Sequence, residues 1–182
     1  PLVHIEAGLR SFNRKMPEEI NRIITDNVSS YLFCSNQNSV DQLRKEGIVK
    51  GVRLVGDVMY DSFLLFSGKI NSSPIKSEKY SVFTLHRQSN TTDISLVNEI
   101  INCFKELNHT VIWPVHPRIK SWINRLDIPK NIEVIEPQSY IQMLCLLDKC
   151  EFVFTDSGGL QKEAYWSKKR CLTFRPDTEW TE

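Results

Sequence analysis

The chain alternates two kinds of apolar pattern, and that alternation constrains its fold more than any other feature. Short apolar runs, LVHIEA, YLFC, VRLVG, YSVFTLH, TVIWPV, NIEVI, EFVFT and RCLTF, read as strands. Between them the apolar residues recur at helical spacing. Ile20, Ile23, Ile24 and Val28 form one such stripe, and Val97, Ile100, Ile101, Phe104 and Leu107 another. Pro17 opens the first of these helices, with Glu18 and Glu19 at the positive end of its dipole. Ser35 is the expected N-cap of a helix ending at Gly47, and a helix follows Asp57 to about Gly68. Further helices are expected around 117–126, 139–148 and 159–168. Strands separated by helices of this length predict an α/β architecture, with parallel sheets covered on both faces.

The polar, proline-containing segment NSSPIKSEK is the expected linker. On this reading the chain holds the end of one α/β domain, to about residue 58, and most of a second. Both are expected to be incomplete, because about three strands are too few for a doubly wound sheet. Pro1 lies on a strand already under way, which predicts a truncated start. The 182 residues are 41% hydrophobic and 25% charged, enough apolar material to bury a core and too ordered a pattern for a disordered chain. A net charge of +1 gives no overall field towards nucleic acid or a membrane surface. No apolar run approaches the roughly 20 residues that cross a bilayer. The cysteines, Cys34, Cys103, Cys145, Cys150 and Cys171, are odd in number and lack C-x-x-C spacing, which argues against a disulfide framework or a zinc site. Most sit in apolar contexts (LFCS, INCF, MLCLL), where a buried free thiol is expected, and a reducing cytoplasmic compartment fits that usage.

Four segments could carry chemistry. EFVFT runs into Asp156-Ser157-Gly158-Gly159 and then a helix, and this strand, turn and helix N-terminus form a ready anion site. Ser157 could donate to a phosphate oxygen, and Glu163, about a turn along, could accept ribose hydroxyls. A plain helix cap explains the same stretch equally well. It is neither a Walker loop nor G-x-G-x-x-G, so a hydride-transfer cofactor has no support from it. In HIEAGLR, His4 and Glu6 share one face of a strand, and Glu6 falls at the strand's C-terminal end, where open α/β sheets bind ligands. Arg10 could neutralise a buried Glu6, and a structural ion pair is the plainer account of the two. PEEINR adds Glu18 and Glu19, which dipole stabilisation alone would also explain. Finally, His86-Arg87 and His116-Pro117-Arg118 end two strands, and two such histidines beside cations suggest the lining of an anionic pocket. His109 is assigned to solvent.

Together, HIEAGLR, PEEINR, the S..LF.S-like and L..EGI stretches, TLHR with Asn90, VHP and TDSGGLQKEA resemble the non-hydrolysing UDP-N-acetylglucosamine 2-epimerases over essentially the whole chain. The resemblance implies a GT-B-like fold of two Rossmann-like domains, the first largely missing (1–58 its C-terminal part) and the second (59–182) binding UDP. It implies an isomerase acting on a UDP-sugar, with no metal and no nicotinamide, and a homodimeric full-length protein that binds neither nucleic acid nor membrane. It implies C2 deprotonation, elimination of UDP to a 2-acetamidoglucal, and re-addition. Carried over by position, Glu6 and Glu18 match catalytic carboxylates and His86 the histidine near the diphosphate. Ser157, Gly158 and Gly159 match the phosphate turn, and Glu163 the ribose contact. Arg10, Arg22, Arg87 and His116 are expected in the cleft.

There are departures. A further catalytic aspartate belongs upstream of HIEAGLR, outside this chain. H-R-x-E-N reads His86-Arg87-Gln88-Ser89-Asn90 here, and the closing T-E-R-P-E reads Thr178-Glu179-Trp180-Thr181-Glu182. With GDVMYD, that ending is closer to the branch acting on UDP-2,3-diacetamido-uronic acids. The chain is therefore expected to be a fragment of a protein about twice as long, and inactive alone. The alternatives are a hydrolysing UDP-GlcNAc 2-epimerase, a GT-B glycosyltransferase and a nucleotide-sugar binding module without turnover. HIEAGLR and PEEINR speak against the transferase, which needs no base aimed at C2.

Overall fold

The computed structural model describes residues 1–70 and 79–175, in two compact units. The first comprises Pro1–Ser62, and the second Phe63–Arg175. The division falls inside a helix, α3 (Val58–Ser67), counting from the two helices that precede it. All but the last residue of the expected linker, NSSPIKSEK, and the closing residues 176–182 lie outside the described residues.

In the first unit, β1 (Val3–Ile5), β2 (Tyr31–Cys34) and β3 (Val52–Leu54) pair in parallel, in chain order. The amphipathic stripe after Pro17 forms α1 (Pro17–Val28), and α2 (Gln37–Lys45) follows β2. The cap of α2 is Asn36 rather than Ser35: its Oδ1 accepts the Ser39 N–H, and Asn36 itself is extended. The small core consists of Ala7, Leu32, Cys34 and Leu43.

The second unit carries a five-stranded parallel sheet, ordered β6-β5-β4-β7-β8. Its strands are β4 (Tyr80–Thr84), β5 (Thr110–Pro114), β6 (Ile132–Ile135), β7 (Phe152–Thr155) and β8 (Arg170–Thr173). Its helices are α4 (Gln88–Thr91), α5 (Ile94–Asn102), α6 (Pro117–Lys120), α7 (Tyr140–Lys149) and α8 (Gly158–Trp166). Because β4 is central, its alternating side chains feed two separate cores. Tyr80 and Val82 pack with Leu144, Leu147 and Leu160 of α7 and α8; Phe83 and Leu85 pack with Val97, Ile101, Trp113 and Ile119. The capping box predicted by neither propensity nor period closes α7 at its start: Ser139 and Gln142 exchange side-chain and backbone bonds.

Three expectations need correction. The helix expected over 117–126 stops at Lys120 and resumes only as a 3-10 turn, Ile123–Arg125. His109 is not simply solvated: its Nε2 lies 2.6 Å from the Oγ of buried Ser81. Cys103 is exposed, because it falls on the outer side of the α5 stripe, whereas Cys34, Cys145 and Cys150 are buried. Among the described residues no helix is long and apolar enough to cross a membrane. Nor does any cluster of three histidine, cysteine or carboxylate groups there suit a metal ion.

Candidate functional site

The order of the second sheet creates the site. Chain connections run outward from β4 in both directions, to β5 and β6 on one side and β7 and β8 on the other, so β4 and β7 flank a topological switch point. Ligands of open parallel sheets bind outside the carboxyl ends of strands at such a point. Thr84 pairs with Thr155 across it, and their hydroxyls are 2.6 Å apart. Just beyond, a cavity of about 330 Å³ opens. Leu85, Val115, Met143 and Leu160 give it an apolar wall; His86, His116, Ser157, Gly159 and Glu163 supply polar groups. The two histidine-bearing strand ends and the glycine turn are thus brought to one cavity. Arg87 and Gly158 sit one residue outside its lining.

Ser157 caps α8, its Oγ accepting the Leu160 N–H at 3.2 Å, while its own N–H is held by Thr155 Oγ1 at 2.9 Å. Capping leaves the hydroxyl proton of Ser157 available, so the cap and the anion site are compatible readings of one turn. Glu163 is buried on the cavity wall. Burial pushes its carboxyl up to about 7, against the opposing pull of a hydrogen bond with Tyr140 and the charge of Lys162. Burial also lowers the proton affinity of His116, helped by His86 and Arg118. The rings of His86 and His116 lie 6.0 Å apart.

The residue that sequence reasoning missed is Asp156. Its side chain is fully buried, yet it is ionised more readily than usual: burial opposes the charge, but hydrogen bonds from His86 and Arg87 outweigh it. The carboxylate accepts the backbone N–H of His86 and of Arg87 (2.8 Å), and the Asn90 amide (3.1 Å). His86 Nδ1 lies 3.0 Å from Oδ1. In the sequence Asp156 reads as one of two candidate caps for the following helix; the structure gives the cap to Ser157 and leaves Asp156 to the loop after β4.

The first unit presents its own strand-end loop. Glu6 follows β1 with φ of 69°, a left-handed conformation uncommon for glutamate, and is half-buried. Gly8 is left-handed too (φ 81°), and a Cβ there would run into the Ser39 carbonyl oxygen. Arg10 does not neutralise Glu6 as expected. Its guanidinium is buried against Asp26 (2.7 Å) and Glu46 (2.7 Å), because those carboxylates lie directly beneath the loop. Arg10 is therefore a structural cation rather than a group displayed to a ligand. Asp26, a second residue missed, also bonds His4 Nδ1 (2.6 Å) and the Gly8 N–H (3.2 Å). Of the two glutamates in PEEINR, Glu19 is buried and accepts the Ser11 and Phe12 N–H groups, whereas Glu18 is exposed. Arg22 lies 3.7 Å from Glu19.

The family model described as UDP-N-acetylglucosamine 2-epimerase matches residues 1–182, the whole chain. The chain belongs to the UDP-N-acetylglucosamine 2-epimerase family. Relatives include a Pseudomonas aeruginosa UDP-2,3-diacetamido-2,3-dideoxy-D-glucuronate 2-epimerase, 44% identical over 100% of this chain and 54% of its own length. A Methanococcus maripaludis UDP-N-acetylglucosamine 2-epimerase is 37% identical over 97% of this chain and 54% of its length. Among solved family structures, the Methanocaldococcus jannaschii enzyme in complex with UDP-GlcNAc and UDP superposes with a TM-score of 0.82 at 35% identity, covering 97% of this chain and 54% of that one. The Neisseria meningitidis enzyme bound to UDP-GlcNAc gives 0.84 at 28% identity, covering 98% and 54%. The chain thus spans about half the length of the relatives it matches, and its two parallel α/β units share the GT-B-like fold class of this family.

Proposed function

We propose that the full-length protein epimerises C2 of a UDP-N-acetylhexosamine, converting UDP-GlcNAc to UDP-ManNAc, with UDP held in the switch-point cavity. The observation that carries this reading is the cavity itself. In a chain of this family, one apolar pocket collects a capped helix N-terminus, two histidines and a buried carboxyl, a set suited to a nucleoside diphosphate. Ser157, Gly158 and Gly159 would receive the diphosphate, with Arg87 and His116 beside it, and Glu163 the ribose hydroxyls. Glu6 and Glu18 would serve at the carbon acid, with Arg22 near them.

The step balances as follows. A carboxylate takes the C2 proton, the C–H electrons form a C1–C2 double bond, and the C1–O bond breaks with its pair leaving on UDP. Delivery of a proton to the opposite face of C2 and return of the UDP oxygen to C1 complete the epimerisation. His86 and the helix N-terminus would stabilise the charge that grows on the departing diphosphate.

Proton NMR of UDP-GlcNAc in D2O with the full-length protein tests this directly. Deuterium at C2 together with UDP-ManNAc is the expected result; free UDP accumulating without return would indicate a hydrolysing enzyme. The 44% identity to the diacetamido-glucuronate enzyme favours a second substrate reading. Absence of exchange with UDP-GlcNAc, alongside exchange with the diacetamido-uronate, would select it. Failure of UDP to bind at all would overturn both.

A further inference from the structure

We infer that Asp156 is a positioning residue that holds His86 in one tautomer, with Nδ1 protonated and Nε2 turned to the cavity. The inference rests on the proposed function only for what the histidine then does. Its structural basis stands alone: a fully buried carboxylate from the end of β7 organises the loop that follows its neighbour β4.

The geometry divides the carboxylate into two jobs. Oδ2 accepts the Arg87 N–H at 2.8 Å and the Asn90 side-chain amide at 3.1 Å, and shares the His86 N–H with Oδ1, 3.1 Å from each. Asn90 is itself pinned by the Phe174 carbonyl at 3.1 Å, so the loop is fixed from both sides. Oδ1 also faces His86 Nδ1 at 3.0 Å. An ionised carboxylate is acceptor-only, so the nitrogen facing it must carry the proton. The other ring nitrogen then points away from Asp156, and His86 lines the cavity. Among the described residues, further charged or titratable groups near the ring are His116, at 6.0 Å between centroids, and Arg118, whose guanidinium reaches the His86 carbonyl at 3.4 Å. Neither offers the ring an acceptor to rival Asp156.

Asp156 also directly precedes Ser157, the cap of α8. One residue therefore sets both the histidine and the start of the turn proposed to receive phosphate. A ring held this way presents the Nε2 lone pair to the cavity; once Nε2 takes up a proton it becomes a donor aimed at the diphosphate, and Asp156 stabilises the imidazolium so formed. Orientation by a carboxylate on the far ring nitrogen is a general way of fixing a histidine for proton work.

The test has a readout that a merely structural aspartate would not move. Long-range nitrogen–proton NMR of histidine-labelled full-length protein, at a pH where the ring is neutral, should show His86 with Nδ1 protonated. A ring protonated mainly on Nε2 in the wild-type protein would overturn the inference, and this measurement needs no variant and no substrate. In Asp156→Asn, an amide oxygen at the Oδ2 position keeps the three loop bonds, and the NH2 group faces Nδ1. The ring should then move its proton to Nε2, with kcat falling by roughly 10²-fold or more and UDP affinity changing far less. An unchanged tautomer in a folded variant would refute the role of Asp156. Because the tautomer is read without turnover, its failure would leave the epimerase reading intact, and absence of C2 exchange in the wild type would do the reverse.

Discussion

The loops after β1 and after β4 are built on the same device and differ in what completes it. Each is held by a buried aspartate from another element, Asp26 of α1 in one unit and Asp156 after β7 in the other. Asp26 is answered on one oxygen by Arg10, a permanent cation whose side chain is 2% exposed and which is shared with Glu46, and on the other by His4 Nδ1 at 2.6 Å. Asp156 is answered by backbone amides and by His86, whose side chain is 40% exposed. A carboxylate closed in by a buried permanent cation fixes a loop as scaffold. A pair whose partner is a histidine at a cavity fixes a loop and leaves one nitrogen for chemistry. The difference separates scaffold from reagent more sharply than residue type does, since Glu6 and Arg10 in the one loop and His86 and Arg87 in the other are all residues that a motif scan would select.

The comparison breaks first, and with the largest effect, at Glu18. If the β1 side serves the carbon acid and the β4 side the diphosphate, Glu18→Gln in the full-length protein should reduce C2 deuterium exchange by about 10³-fold or more. UDP affinity, read by titration calorimetry, should stay within about twofold. Exchange at a near wild-type rate would remove Glu18 from the reaction.

Next comes the scaffold. Arg10→Met keeps the length of the side chain and strands Asp26 and Glu46 without their cation. Removing one partner of a buried ion pair typically costs about 3–5 kcal/mol, and urea denaturation should show a loss of that order. The carboxyl of Glu46 sits below its usual range: burial opposes this, but the Arg10 and Gln42 hydrogen bonds and the Arg10 charge together outweigh it, so part of the loss should vanish in acid, where Glu46 is protonated. A cost under ~1 kcal/mol would mean that the loop is held by Gly8 and its neighbours instead.

How much of this was legible in the sequence follows from range. Each strand announced itself by a local apolar run, and each of the eight expected runs holds a strand. The switch-point residues were also visible, because strand ends followed by polar residues are local facts. What stayed hidden depends on partners distant in the chain. Arg10 reads as a ligand group until Glu46 and Asp26 are seen beneath it, 36 residues from Arg10 in the case of Glu46. Asp156 reads as part of a turn until His86, 70 residues away, is found above it. His109 met Ser81 in the same way. Sequence periodicity reports where an element gathers its apolar residues, though in α1 Ile24 and Val28 of the apolar stripe are exposed and Glu19 and Asp26 are buried; it does not report which polar groups will meet once the elements are packed.

A smaller effect is expected at the phosphate turn. Gly159 lines the cavity as the second residue of α8, and like Gly158 it is absent from the left-handed glycines. Its backbone therefore does not itself require glycine, and a side chain there would be added at the cavity lining. Gly159→Val should weaken UDP binding about 10- to 100-fold with little change in thermal stability beyond the modest cost of a β-branched residue in a helix. Unchanged affinity would mean that the turn only caps α8.

The smallest effect concerns Glu163, the buried carboxyl of the cavity wall, on which burial outweighs the charge of Lys162. Its folded-state value of about 7, against an ordinary value of 4.5, follows mainly from burial. A carboxyl whose folded value is raised binds more protons folded than unfolded between those two values. Stability therefore falls as pH rises through that window, and the full cost of ionising the group is reached above pH 7. Glu163→Gln does not titrate, so it should match the wild type near pH 4.5 and be the more stable protein at pH 8. Binding should move the other way. If the ionised carboxylate accepts ribose hydroxyls, wild-type affinity for UDP-GlcNAc, whose diphosphate does not titrate in this range, should rise about tenfold from pH 6 to pH 8. The Gln variant should bind with no such rise. A flat wild-type profile with the stability difference intact would leave Glu163 as a buried acid of the cavity wall and remove it from the ribose site.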